Sequence, residues 1–117
     1  MAATFANDGV NPVTGSRVVS EEATQITLAV LSTCRLYDGS GEAAVHLGIP
    51  AKSGVGGGVM GVVNREMGIA VYSPPLDTHG NSVRGFQTLQ RLSTEVDLHT
   101  HSAKGSSAAI LRSDQQV

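Results

Sequence analysis

The run Lys52-Ser53-Gly54 carries the clearest chemical signal in this sequence of 117 residues. We expect this run to stand at the head of a glycine-rich strand. Beside an active site, the cation and the hydroxyl of such a run can face a substrate, and the glycine lets another backbone approach closely. The backbone N–H of the next residue, Val55, can then point at the oxyanion that develops during acyl transfer. An exposed lysine, a turn serine and a flexible glycine would give the same three letters, so the tripeptide needs support from elsewhere in the chain.

The glycine-rich stretch that follows permits a second interpretation. Residues 56–61 match the pattern G-x-G-x-x-G, and Asp77 lies about 20 residues further on, where a dinucleotide site has an acidic ribose partner. Such a site needs a helix after the glycines, whereas Val59, Val62 and Val63 indicate a strand. A nucleotide-binding module is therefore a minor alternative, and it predicts a helix after Gly61.

Composition excludes several other classes of function. The 8 basic and 10 acidic residues give no electrostatic case for nucleic acid. We expect no membrane span and no secretory signal, since the apolar runs are short and the N-terminus lacks the usual charged and apolar regions. The single cysteine, Cys34, cannot form an internal disulfide and favours a reducing, cytoplasmic setting. His46, His79, His99 and His101 are scattered, so we expect no metal site.

The elements that would position these residues form an α+β pattern. We predict helices over residues 1–7, 20–36 and 83–96, the second from the spacing of Ile26, Val30, Thr33 and Tyr37. The third follows from an apolar stripe with polar residues between its members: Val83, Phe86, Leu89, Leu92 and Val96. Two β-branched runs, 59–63 and 68–72, predict an antiparallel hairpin with a polar turn between them. Asn81 and Arg84 are expected to cap and brace the last helix. An isolated hairpin is only marginally stable, so this one is expected to belong to a larger sheet.

Longer strings in the sequence resemble one family closely. They occur in this order: Met1-Ala2-Ala3-Thr4, Asn11-Pro12-Val13-Thr14-Gly15, Tyr37-Asp38-x-Ser40-Gly41-Glu42, Pro50 to Gly58, Ser73-Pro74-Pro75-Leu76-Asp77 and Gly80 to Gly85. Together they resemble the C-terminal part of the bacterial-type glutaminase family, which has the serine β-lactamase and penicillin-binding-protein-like fold. The resemblance covers residues 1–98, roughly the last third of that family's catalytic domain, beginning inside a helix. We expect residues 99–117 to form a flexible tail.

The resemblance implies hydrolysis of L-glutamine to L-glutamate and ammonia through a serine acyl-enzyme, with no metal or organic cofactor. It implies that Tyr37 contacts the substrate and exchanges a proton, and that the Val55 N–H belongs to the oxyanion hole. By their place in the motif, Lys52 would attract the substrate carboxylate and Ser53 would offer it a hydrogen bond. Family members are often homo-oligomers, either dimers or tetramers.

The sequence departs from the family at the reacting group. The family's nucleophile lies in an upstream Ser-x-x-Lys motif, whereas the residues three places before Lys52 and Lys104 are Ile49 and His101. The upstream positions that hold glutamine are also missing. We therefore expect the isolated chain to be an inactive part of a glutaminase. The alternative is a non-catalytic truncated segment that only associates with other chains.

Overall fold

The computed structural model describes residues 1–33 and 47–100. Over these residues the chain forms three helices and a three-stranded antiparallel sheet with the strand order β1-β2-β3. The helices are α1 (Ala2–Ala6), α2 (Glu21–Thr33) and α3 (Val83–Glu95), and the strands are β1 (Ala51–Ser53), β2 (Gly58–Val63) and β3 (Met67–Tyr72).

The predicted hairpin is confirmed as β2 and β3. These strands pair from Gly58 opposite Tyr72 to Val63 opposite Met67. The turn between them contains Arg65, whose positive φ of 61° closes the chain reversal. Because Gly61 lies inside β2 rather than before a helix, the nucleotide-binding alternative is wrong.

The run that contains Lys52 and Ser53 forms a strand of its own, which corrects the prediction that these residues head the glycine-rich strand. β1 pairs antiparallel with β2, so that Lys52 lies opposite Met60. A turn over residues 54–57, called the 54–57 turn below, separates the two strands. Its last residue, Gly57, has a φ of +97° and would place a Cβ 3.0 Å from the Pro74 nitrogen. Only glycine fits such a position, and this is why the chain reverses here.

One face of the sheet packs against α3 and holds the larger core. Its buried residues include Val59 and Val63 of β2 and Leu89 of α3, together with Leu47, Ile49, Ala51 and Leu98. Alternate residues of a strand point to opposite faces, so Val59 and Val63 share this face with Gly61. Leu89 is fully buried over this face, and a Cβ on Gly61 would lie 2.9 Å from Ile49 Cδ1, so the missing side chain leaves room for Ile49. The amphipathic stripe that predicted this helix therefore faces the core.

The opposite face of the sheet is covered at one end by α1. Val62 is fully buried there beside Ala2 and Ala6, with Phe5 and Leu28 packed around them. Helices thus pack on both faces of the sheet. Among residues 1–33 and 47–100, no element covers the other end of this face, where Tyr72 is exposed.

Helix α2 begins as predicted. Ser20 caps it by accepting a hydrogen bond from the Ala23 N–H at 3.1 Å. The apolar stripe that predicted the helix is nevertheless exposed, with Ile26 57% and Val30 49% accessible. Cys34, Tyr37 and His46 fall outside the described residues, as does the predicted end of this helix.

The cap of α3 differs from the prediction. Ser82, which is fully buried, accepts a hydrogen bond from the Gly85 N–H at 3.0 Å, so Ser82 rather than Asn81 caps this helix. After α3, the Thr100 N–H donates to the Gly48 carbonyl at 2.8 Å and ties the chain back to the segment before β1. Residues 101–117, most of the expected tail, lie outside the described residues.

Candidate functional site

The 54–57 turn contains a backbone N–H without a hydrogen-bond partner among the described residues, in a largely exposed residue. The Gly57 N–H donates to the Gly54 carbonyl at 3.0 Å, and the Gly54 N–H donates to the Gly58 carbonyl at 2.9 Å. Val55, the second residue of the turn, is 72% exposed. Among residues 1–33 and 47–100, no hydrogen bond uses the Val55 N–H. This donor is therefore available to an oxygen from outside the described residues, as an oxyanion hole requires.

Lys52 and Ser53 point to opposite faces of the sheet, because they are neighbours on one strand. Ser53 is 3% exposed on the α3 side, where its hydroxyl donates to the Asn81 side-chain oxygen. Lys52 is exposed on the other side, and its ammonium donates to the Ser53 carbonyl at 2.7 Å. The structure therefore does not bring the two side chains together. The predicted contact of Ser53 with glutamine stays a prediction.

Lys52 borders an open groove of about 580 Å³ on the α1 side of the sheet. Met1, Met60, Ala70 and Tyr72 line it, together with Gly54 at the start of the 54–57 turn. The walls are mainly apolar, and Tyr72 is 75% exposed. The groove combines apolar surface with one cationic side chain, which suits a ligand or a chain segment that carries a carboxylate.

A second turn covers residues 77–81, where the sequence predicts a loop, and is called the 77–81 turn below. The Asp77 carboxylate accepts the backbone N–H groups of His79 at 2.8 Å and Asn81 at 2.9 Å. These hydrogen bonds, above all the one from Asn81, hold the pKa of Asp77 below its ordinary value of 3.8. The sequence Asp-x-x-Gly-Asn is typical of such a turn.

The two turns lie against each other. A Cβ built on Gly80 would lie 3.4 Å from Val55 Cγ1. From another side, the Ser73 N–H donates to the Gly57 carbonyl at 2.9 Å, and the Ser73 carbonyl accepts the Ser82 hydroxyl. The exposed donor of Val55 is thus part of a turn that its neighbours hold on two sides.

Some of the remaining predicted residues lie outside the part of the chain that the structure describes. Tyr37 and His101 lie outside the described residues, so the proton-transfer role of Tyr37 stays a prediction. Within residues 1–33 and 47–100, no three residues of the types that bind metals lie close enough together to hold an ion. Over the same residues no helix is long and apolar enough to span a bilayer.

Comparison with known proteins identifies the family. The family model described as Glutaminase matches residues 1–101. The glutaminase of Trichormus variabilis is 56% identical over 99 residues, which cover 85% of this chain and 30% of that protein. Glutaminase 2 of Clostridium perfringens is 53% identical over 96 residues, which cover 82% of this chain and 32% of that protein. The chain thus spans about a third of the length of these curated relatives.

A solved structure gives the same result for the fold. The structure titled "Crystal Structure Analysis of Mglu in its glutamate form" superposes with a TM-score of 0.81 at 38% identity, covering 89% of this chain and 24% of that one. The predicted fold class is confirmed: helices pack on an antiparallel sheet as in the C-terminal part of a serine β-lactamase-like domain. Because the family model covers most of the chain and the fold agrees, this chain belongs to the Glutaminase family.

Proposed function

We propose that the chain forms part of a site that hydrolyses L-glutamine to L-glutamate and ammonia. The observation that carries this proposal is the exposed Val55 N–H, which no hydrogen bond among the described residues occupies. It stands in the segment where the family resemblance expects an oxyanion donor. The relatives that share this segment are named glutaminases.

In the proposed reaction, a serine hydroxyl attacks the side-chain amide carbon of glutamine, and its proton passes to a neighbouring base. The carbonyl oxygen becomes an oxyanion, which the Val55 N–H stabilises. When the C–N bond breaks, the nitrogen takes up a proton and leaves as ammonia, and water then hydrolyses the ester to release glutamate. Tyr37 would exchange the proton with the nucleophile or with the leaving nitrogen.

The reacting serine would come from residues that this sequence does not contain, since it has no Ser-x-x-Lys motif. Lys52 would supply positive potential for the substrate carboxylate. Residues 1–98 would be the working part of the chain and 99–117 its tail, and assembly into homo-oligomers would follow the family.

A chimera tests the proposal. The 99 matched residues of the Trichormus variabilis glutaminase are replaced by the corresponding residues of this chain, and ammonia release from glutamine is measured. We expect activity from the chimera, none from this chain alone, and a lower kcat after Tyr37→Phe. A chimera that is folded by circular dichroism but releases no ammonia would refute the proposal.

The second candidate function is association without catalysis. The exposed apolar side chains of Ile26 and Val30, which lie one turn apart on α2, favour it, because contiguous apolar surface commonly marks a contact with another chain. The chain is mixed with the remaining two-thirds of the same relative as a separate polypeptide. A stable complex on gel filtration that releases no ammonia, beside an inactive chimera, would support association alone. A compact monomer that forms no complex would refute it.

A further inference from the structure

The 77–81 turn is fastened to the strand that leads into Val55. The Ser53 hydroxyl, two residues before Val55, donates to the Asn81 side-chain oxygen, although 28 residues separate the two in the chain. Both side chains are buried, Ser53 at 3% exposure and Asn81 at 7%. In the same turn, Gly80 lies next to the Val55 side chain, since a Cβ built on Gly80 would be 3.4 Å from Val55 Cγ1. The 77–81 turn therefore touches the segment before the donor and the donor residue itself.

The 77–81 turn is itself rigidly held. Two hydrogen bonds join Asp77 and Asn81. The Asp77 N–H donates to the Asn81 carbonyl at 2.8 Å, and the Asp77 carboxylate accepts the Asn81 N–H at 2.9 Å. The next residue, Ser82, is fully buried and caps α3. The position of Asn81 is thus set by the helix that packs on the core.

We infer that Asn81 is a positioning residue, which holds the 54–57 turn so that the Val55 N–H points at the oxyanion. The inference rests on the proposed function, in which Val55 is the oxyanion donor. An oxyanion hole works only when its donors stand 2.7–3.1 Å from the developing charge, a tolerance of roughly half an ångström. A loop held only by its own glycines would not keep that tolerance, whereas one bonded through Ser53 to the start of α3 does.

Two substitutions in the chimera described above test this role. Asn81→Ala removes the acceptor of the Ser53 hydroxyl, and we expect kcat to fall about 10- to 100-fold while KM changes less than about threefold. Asn81→Asp keeps an acceptor oxygen, and we expect it to recover most of the lost kcat. Gly80→Ala places a methyl group against Val55 at a φ of +84°, and we expect it to lower kcat as well.

Each variant has a matched control. Thr78→Ala changes an exposed side chain in the same turn and is expected to leave kcat unchanged. Gly15→Ala imposes a similar strain at a φ of +72° but meets nothing within 4 Å, so it is expected to lower stability without changing kcat. A merely structural role for Asn81 would lower the unfolding temperature with kcat preserved in the folded fraction.

A second measurement keeps this inference separate from the proposed function. The Val55 amide resonance is followed by ¹⁵N NMR in the full chain, where no catalysis is needed. We expect Asn81→Ala to shift it and Thr78→Ala to leave it in place. An inactive chimera would refute the proposed function. Two results would overturn the positioning role of Asn81: a Val55 resonance that Asn81→Ala does not shift, or an active chimera whose kcat is unchanged by both Asn81→Ala and Gly80→Ala.

Discussion

Gly68 on β3 is the point at which α1 rests directly on the sheet. A Cβ at this position would lie 2.1 Å from the Ala3 nitrogen and 2.3 Å from the Ala2 carbonyl carbon. Both atoms belong to the helix backbone, and no rotamer change can relieve contacts below 3.0 Å with main-chain atoms. The substitution Gly68→Ala must therefore push α1 away from the sheet as a unit.

The size of the effect follows from what α1 covers. Val62 is fully buried beneath the helix, and Ala2 and Ala6 are buried with it. Burying a valine side chain is worth roughly 1.5–3 kcal/mol, and each buried methyl group about 0.8 kcal/mol. Partial loss of this burial should lower the free energy of unfolding by about 2–4 kcal/mol, a large share of the roughly 5–15 kcal/mol typical of a domain.

Urea unfolding of the full chain, followed by circular dichroism, measures this loss. Gly58→Ala is the matched control, because Gly58 lies on the same sheet face at the open end and a Cβ there meets nothing within 4 Å. We expect the control to change the free energy of unfolding by less than about 1 kcal/mol, in either direction. Equal losses for the two variants, or no loss for Gly68→Ala, would refute the packing of α1 described above.

Two further predictions concern the core and the 77–81 turn. Leu89→Ala should lower the free energy of unfolding by about 2–5 kcal/mol, since Leu89 is fully buried, and a urea midpoint unchanged from the unsubstituted chain would contradict its place in the core. Hydrogen bonds from backbone N–H groups, first that of Asn81, lower the pKa of Asp77 from 3.8. The ionised Asp77 therefore stabilises the folded state above pH 3.8, and this stabilisation is lost as the pH falls through the pKa of Asp77 in the folded protein. An NMR titration of Asp77 should give a midpoint below 3.8, and Asp77→Asn should remove this part of the acid dependence of stability; a midpoint above 3.8 would contradict the turn geometry.

Patterns of neighbouring residues in the sequence predicted the hairpin and the helices, because the spacing of apolar residues and the turn residues determine these elements. The β2–β3 hairpin follows from two β-branched runs around a polar turn, and α3 from an apolar stripe that reaches the core. The short strand β1 could not be predicted in this way, because three residues between Pro50 and Gly54 carry no periodicity. In α2 the spacing predicted the helix, but whether Ile26 faced the core or the solvent depended on what packs against it.

The sequence likewise predicted only part of the candidate site. Val55 was singled out because its motif resembles a family, and the structure adds that its N–H has no partner among the described residues. The bond between Ser53 and Asn81 joins positions 28 residues apart, and no local pattern encodes such a contact. Asn81 was therefore expected to be a helix cap, a role that short-range rules assign to it and that Ser82 performs instead.

The most direct test of the proposed site is to remove the Val55 N–H from the chimera. Val55 is the second residue of the 54–57 turn, a position that proline favours in common turns, so Val55→Pro should leave the fold intact while deleting the donor. Val55→Ala keeps the N–H and the bond between Ser53 and Asn81, and it shortens a largely exposed side chain that faces Gly80, which makes it the matched control. We predict that Val55→Pro lowers kcat for ammonia release by about 10²- to 10³-fold and that Val55→Ala stays within about threefold of the unsubstituted chimera. A folded Val55→Pro chimera with the same kcat as Val55→Ala would contradict the assignment of this turn as the oxyanion hole.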